Sequence, residues 1–535
     1  MNLRMNPSFA SLICVAGISG LLYLDRDRSV RLSKAIWVPG IWLTLVGSRP
    51  LSSWFGVTAT ENTSVEGSPI DAAVFAILLA VAVIVLIVRR KRVRTLLRSN
   101  WPLLIYFVYC LVSVAWSYHP DIAFKRWIKA IGDLAIVLVI ITEVLPVAAL
   151  GRVVSRAGML LLPTSFLFIR YYPELGRGYT TDGMLVNYGV TTNKNALGLI
   201  VLVVSLVLLW NVRSLMVHKQ QPNRGRRLLA QGTLLAFGIA LLMTANCSTC
   251  KVCFLIGGVL ILVLSRRAFV RRPAWVHAMC LTIVVASGAA LFLGTGDVAS
   301  ALGRQSNMSG RTDIWAAVIP VVPNVLVGAG FESFWISPNA LLFREQMSRL
   351  GWYAALVKDL NEAHNGYIEV YLNLGWIGVC LIALVLISGY KRAVKALMRD
   401  PELGSLFIGF MIISVFYSVT EAGFRMMNPA WIFLIVAIVG SSAVLSGVMR
   451  SEYSRISGSS TFPVGMGSDL EELPVKSDAR NKTVLNEPSD GILATQSLVA
   501  TVSDRSHDRL GLHMPQNNES HVRWFTSQLI KGVFH

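Results

Sequence analysis

Three stretches of the chain carry residues able to move protons or hold anions. The first is Glu362-Ala363-His364-Asn365-Gly366-Tyr367-Ile368-Glu369, followed by Asn373 and by Gly375-Trp376-Ile377-Gly378. Histidine is the side chain whose ordinary pKa suits proton transfer near neutral pH, so His364 is the first candidate, with Glu369 as a second acid–base group. The second stretch, Ser309-Gly310-Arg311-Thr312-Asp313-Ile314-Trp315, offers Arg311 and Asp313. A guanidinium grips phosphate through a planar fork that an ammonium cannot match. The third, Arg170-Tyr171-Tyr172-Pro173-Glu174-Leu175-Gly176-Arg177, sets Arg170, Tyr172 and Arg177 at the end of an apolar run. Each alone has a bland reading as a solvated charge or an interfacial histidine. Their shared placement makes them candidates.

That placement follows from the elements around them. Of 535 residues, 54% are hydrophobic and only 15% charged, against about 25% charged in ordinary soluble chains. The mean hydropathy is +0.57. The apolar residues fall into blocks long enough to cross a hydrocarbon layer as helix, near 8–24, 35–48, 71–88, 101–116, 131–149, 157–170, 196–212, 228–245, 252–265, 276–294, 370–389, 403–420 and 429–447. No alternating strands of barrel type are visible. The expected fold is an all-α polytopic membrane protein of about 12–13 transmembrane helices with one large outer loop. The N-terminal apolar run lacks a small-residue cleavage site and reads as an uncleaved first span.

The net charge of +19 does not point to nucleic acid, because the basic residues sit in short clusters between apolar blocks. Arg89 to Arg94, Arg224 to Arg227, Arg266 to Arg272 and Lys391 to Lys395 mark inner loops by the positive-inside rule. The outer segments are then 49–70, 117–130, 171–195, 246–251, 295–369 and 421–428. Residues 295–369 form a loop far longer than ordinary connections, and its Trp315, Trp335 and Trp352 predict that it is folded. Residues 1–448 form the membrane domain, and 449–535, rich in Ser, Asp, Glu and Asn, read as an inner, largely disordered tail. Lys125, Arg126 and Lys129 break the charge rule by lying beside an outer segment. They are anion ligands or a sign that the topology is inverted there.

Arginines at the outer surface could hold the pyrophosphate of a polyprenyl carrier whose tail lies among the helices. A sugar hydroxyl would then attack the anomeric carbon, with charge matching on the leaving group doing most of the work, and His364 would take the hydroxyl proton or orient it. Seven cysteines include the run Cys247, Cys250, Cys253. The other four are scattered, so no fourth metal ligand suggests itself and buried thiols fit better. A Cys247–Cys250 disulfide is the alternative in an oxidising compartment.

The order of these elements resembles the O-antigen ligase and polymerase superfamily, and within it the ExoQ-type exopolysaccharide polymerases. The resemblance rests on Gly310-Arg311-Thr312-Asp313-x-Trp315 paired with His364-Asn365-x-Tyr367-x-Glu369 and Gly375-x-x-Gly378. It also rests on Ser48-Arg49-Pro50, Glu66-Gly67-Ser68-Pro69, Trp116-Ser117 with Pro120, and Gly189-x-x-x-Asn193-Lys194-Asn195-x-x-Gly198. It covers roughly 35–447. It implies a GT-C-like glycosyltransferase of the bacterial inner membrane that uses an undecaprenyl-pyrophosphate-linked oligosaccharide without a cofactor or metal ion. The family's essential histidine maps onto His364 and its loop arginine onto Arg311; its other arginines map onto Arg170 or Arg177. Glu369 joins these as a catalytic candidate, and Tyr172, Asp313 and Arg126 as candidate glycan or pyrophosphate contacts. Polymerase is favoured over an O-antigen ligase acting on lipid A core, and over a polysaccharide or lipid-carrier transporter. Expected partners are the lipid-linked oligosaccharide, the bilayer and other exopolysaccharide assembly and export proteins, with no nucleic acid. One departure stands at Cys247-Ser248-Thr249-Cys250-Lys251, where relatives carry a basic residue within a Ser/Thr run and the role of Lys251 is open.

Overall fold

The computed structural model describes residues 6–27, 29–56, 67–179, 183–292, 310–352, 357 and 360–450. A helix answers to each apolar block: α1 (Pro7–Leu24), α2 (Trp37–Val46), α3 (Pro69–Val88), α4 (Trp101–Val112), α5 (Pro120–Ile141), α6 (Pro146–Tyr171), α7 (Lys194–Val217), α8 (Arg224–Thr244), α9 (Ser248–Leu264), α10 (Pro273–Phe292), α11 (Gly366–Arg399), α12 (Pro401–Thr420) and α13 (Pro429–Leu445). Seven helices among the described residues are long and apolar enough to cross a membrane, or eight if the bent pair Arg90–Ser99 and Trp101–Trp116 forms one span. The chain is a helical, multi-pass membrane protein.

Many of these helices begin with proline, whose fixed φ suits the first turn and whose missing N–H would have been unpaired there. This moves one expected boundary. Residues 131–149 read as one span and 157–170 as the next, but the turn falls at Thr142 to Leu145, between Ile141 and Pro146. Glu143 sits in that turn, buried against Arg89 at 2.6 Å and taking the Ser33 hydroxyl at 2.6 Å. Among the described residues one short strand pair joins the helices: Arg177–Tyr179 runs antiparallel to Leu185–Asn187.

Helices α7, α9, α11, α12 and α13 pack together as the centre of the bundle. Nearly every residue of α12 and α13 is buried, as expected for helices apolar all round. By contrast α3 buries only Leu78 and Ala82 and leaves Ile77, Ile84 and Ile87 exposed, the surface a lipid would cover.

The described part of the large loop is folded. Ile314, Val318, Phe334, Phe343, Met347 and Leu372 form a core of their own, flanked by Trp315, Trp335 and Trp352. It is stitched to α11 at a break. Gly375 has φ +62° and ψ −165°, so the chain leaves the helix for one residue there. The loop segment fills the gap: Trp376 N donates to Val325 O at 2.9 Å, Ile377 N to Leu326 O at 3.1 Å, and Ala329 N to Leu372 O at 3.0 Å. A Cβ on residue 375 would lie 2.2 Å from the Leu326 carbonyl. Of the expected tail, all but Met449 and Arg450 lies outside the described residues, as do 295–309, 353–356, 358 and 359 of the expected loop.

Candidate functional site

His364 ends the loop in a left-handed conformation, φ +48°, which is uncommon outside glycine, although histidine is enriched there alongside asparagine and aspartate. Its neighbours hold it there. Asn365 caps α11 by accepting from Tyr367 N at 3.0 Å and Ile368 N at 3.1 Å, and donates its own amide to Val419 O at 3.0 Å. Trp315 Nε1 donates to Ala363 O at 2.8 Å, and the Ala363 amide donates to Glu369 Oε1 at 2.5 Å. Glu369 also accepts from Trp335 Nε1 at 3.0 and 3.1 Å. The Glu369 carboxylate is thus engaged in seating the loop residue next to His364.

Arg311 opens a helix, Arg311–Val318, whose N-cap Gly310 has φ +75° beside the Trp352 ring. Its guanidinium is buried and its Nη2 lies 2.6 Å from Glu421 Oε1, the two side chains being 7% and 5% exposed. The other oxygen of Glu421 lies 3.4 Å from His364 Nδ1. Asn195 Nδ2 donates to both oxygens, at 3.1 and 3.2 Å, and Asn193 caps the same helix, α7, through Ala196 N at 2.8 Å. One carboxylate therefore gathers the loop arginine, the loop histidine and the α7 asparagine.

A second ring of charge adjoins it. His364 Nδ1 is 2.9 Å from Glu362 Oε1, and Arg425 Nη1 is 3.7 Å from Glu362 Oε2. Arg425 Nε lies 3.1 Å from Glu332 Oε2, and Arg126 Nη1 donates to the Glu332 backbone carbonyl. Arg126 thus stands on the same side of the bundle as the folded loop. His364, Glu362 and Arg425 are the reachable members, 25%, 30% and 29% exposed.

The electrostatics follow. Burial alone would lower the His364 pKa, but hydrogen bonds to Glu362 and Glu421 outweigh it and push it up to about 9. Burial alone would raise the Glu362 carboxyl, but His364, Arg425 and Arg311 hold it below its ordinary value. Burial would likewise lower the Arg425 guanidinium, while Glu332, Glu369 and Glu362 keep it raised. Near neutral pH His364 is a cation between two carboxylates. Glu362, His364 and Glu421 bring ligand atoms within 4.8 Å of one another, close enough for a metal ion. Glu421 already faces Arg311 at 2.6 Å, so a metal ion here would compete with that ion pair.

The remaining candidates stand apart from this cluster. Arg170 is exposed at the last turn of α6. Arg177 Nε donates to Ile169 O at 2.7 Å, and Tyr172 Oη pairs with Ser11 Oγ at 3.0 Å. Asp313 accepts from Trp352 Nε1 at 3.3 Å. Arg49, in a stretch carrying the family resemblance, clamps the carbonyls of Leu175 at 2.7 Å and Gly189 at 2.9 Å. The buried thiols of Cys247 and Cys250 hold their sulfurs 2.8 Å apart. Next along, Thr249 Oγ1 pairs with Thr420 Oγ1 at 3.0 Å, one residue before Glu421. Lys251 lies half-buried in the first turn of α9.

Sequence reasoning missed Glu421, Arg425, Glu332 and Asn195. The signal was available for the first two: the outer segment 421–428 separates two apolar helices and carries Glu421 and Arg425, and ionisable groups against a membrane are costly enough to need a purpose.

Comparison with known proteins bears out the resemblance read from the motifs. The O-antigen ligase family model matches residues 232–383, a range that includes Arg311 and His364 and stops short of Glu421. The exopolysaccharide production protein ExoQ of Rhizobium meliloti (strain 1021) is 24% identical over 318 residues, 56% of this chain and 68% of that protein.

Proposed function

We propose that this protein is a metal-independent glycosyltransferase of the bacterial inner membrane that joins undecaprenyl-pyrophosphate-linked oligosaccharide repeats at the outer face, as an exopolysaccharide polymerase. The observation that carries the reading is the convergence of Arg311 and His364 on Glu421, at 2.6 and 3.4 Å. The name of ExoQ and the family model spanning both residues support it.

The donor pyrophosphate takes the place of Glu421 on the Arg311 fork, with Arg425 and the His364 imidazolium adding positive charge nearby. Asn195 keeps Glu421 in place when Arg311 turns away. The acceptor sugar hydroxyl attacks the anomeric carbon, a new C–O bond forms, and the bond to the pyrophosphate oxygen breaks. The hydroxyl proton passes to Glu362, the exposed carboxylate against His364 Nδ1, while His364 orients the hydroxyl. This departs from a histidine acting as the first proton acceptor, because a pKa near 9 leaves it protonated. The charge leaving with the pyrophosphate is stabilised by groups already in place, which limits reorganisation in the transition state.

The same chemistry would serve a ligase, so the test lies in the product. In a deletion strain, surface polysaccharide analysis should show single repeat units left on the carrier. Full-length chains stranded on the carrier would make the protein a ligase instead.

A further inference from the structure

Helix α12 carries Glu421 just beyond one end and Glu402 in the first turn of the other, roughly 30 Å apart for a helix of this length. At the Glu402 end the bundle encloses a polar cavity of about 200 Å³ lined by Asp25, Asp27, Arg152, Arg227, Glu402 and Arg450. Several of these pair with one another or with backbone. Arg227 Nη1 lies 3.3 Å from Asp27 Oδ2, Gln231 Nε2 donates to Asp25 Oδ1 at 2.8 Å, and Arg152 Nη1 donates to Val30 O at 3.2 Å. Glu402 is only partly satisfied. It is 5% exposed, its Oε2 pairs with His218 Nε2 at 3.1 Å, and its Oε1 has no hydrogen-bond partner among the described residues. A buried carboxylate oxygen without a donor is costly.

One turn along α6 from Arg152, Arg156 stands over the Trp37 ring at 5.6 Å. It opens an apolar groove of about 160 Å³ between α2 and α6, lined by Ile41, Leu45, Val153, Ala157 and Leu160. Arg152 lines the polar cavity and Arg156, one turn along α6, lines the apolar groove. That sequence of surfaces suits an amphipathic molecule with a charged head and a hydrocarbon tail.

We propose that this end of the bundle binds a phospholipid with a zwitterionic head carrying a primary ammonium, of the phosphatidylethanolamine class. The ammonium supplies the donor missing at Glu402, the phosphate lies toward Arg152 and Arg156, and an acyl chain lies in the α2–α6 groove. A purely anionic head carries no such ammonium and leaves Glu402 Oε1 without a donor. The basic clusters at this end of the helices assign the lipid to the inner leaflet. The site is independent of the glycosyl-transfer reading.

Native mass spectrometry of the purified full-length protein, stripped of lipid and given phosphatidylethanolamine or phosphatidylglycerol with matched chains, tests this. The wild-type protein should retain phosphatidylethanolamine in preference. Glu402→Gln should cut that retention about tenfold, the size of one lost charge-assisted hydrogen bond, and leave phosphatidylglycerol unchanged or better held. Arg156→Gln should weaken both. Equal retention of the two lipids by the wild-type protein would overturn the site, and so would a preference unaltered in both variants. The wild-type comparison and Arg156→Gln remain decisive if Glu402→Gln does not fold.

Discussion

Glu421 holds Arg311 in an ion pair of 2.6 Å with both side chains buried, and the pair joins elements 110 residues apart in sequence. It ties the start of the folded loop to the segment between α12 and α13. Because the same carboxylate faces His364, a ligand that draws Arg311 away also changes the charge around the histidine. On the proposed reading, substrate binding at Arg311 and the orienting role of His364 would be coupled through one side chain.

Arg311→Lys should lose most polymer formation although the charge is kept, because an ammonium cannot offer two parallel donors to a phosphate. Glu421→Gln should do more damage to folding than to charge matching. Removing one partner of a buried pair typically costs about 3–5 kcal/mol, so the yield of membrane-inserted protein should fall. Quantitative immunoblotting of membranes beside polymer analysis separates the two. Wild-type polymer from Arg311→Lys at equal protein would move the phosphate contact elsewhere.

The rate should depend on pH through His364. Its folded pKa of about 9 stands above its ordinary 6.5, so the protonated form is the one the fold favours. The stability this adds is fully present below pH 6.5 and is lost as pH rises through 9. If the imidazolium orients the acceptor, activity in proteoliposomes should fall on an alkaline limb near pH 9. The lowered Glu362 carboxyl should set an acid limb below 4.5, its ordinary value. A rate that instead climbs through pH 9 would show that neutral histidine is the working form.

Gly375→Ala should loosen the loop without touching the charged cluster. The residue sits at φ +62°, where a Cβ would meet the Leu326 carbonyl at 2.2 Å. Strain of this kind costs on the order of 1–3 kcal/mol before any clash is relieved. Limited proteolysis should cut the loop segment near Leu326 faster than in the wild type. Unchanged cleavage would mean that the break in α11 does not seat the loop.

The helices were legible because hydrocarbon thickness imposes a length and an apolar composition that a single sequence displays. Arg311 and His364 were legible because each stands at an edge of the one long loop. The turn at Thr142 was hidden by Glu143, which is tolerated inside an apolar block only through its partner Arg89 from another helix. Glu421 and Arg425 were hidden for a related reason: their meaning lies in partners brought in by folding. Asn195 was visible as part of a motif, yet nothing local says that its amide will hold a carboxylate 226 residues away in the chain. The break at Gly375 looked like a motif glycine, and its purpose shows only when residues 325–329 fill it.

On the reading proposed above, the cluster around His364 carries out glycosyl transfer from a lipid pyrophosphate. The most direct test is chain extension by purified protein in liposomes supplied with the lipid-linked repeat, comparing wild type, His364→Ala and Glu369→Gln at equal inserted protein. A group that orients or relays the proton is typically worth about 10²–10⁴-fold in rate. His364→Ala should therefore leave only single repeats, while Glu369→Gln, which keeps an acceptor for Trp335 and the Ala363 amide, should extend chains at a reduced rate. Extension by His364→Ala at a rate near that of the wild type would contradict the claim.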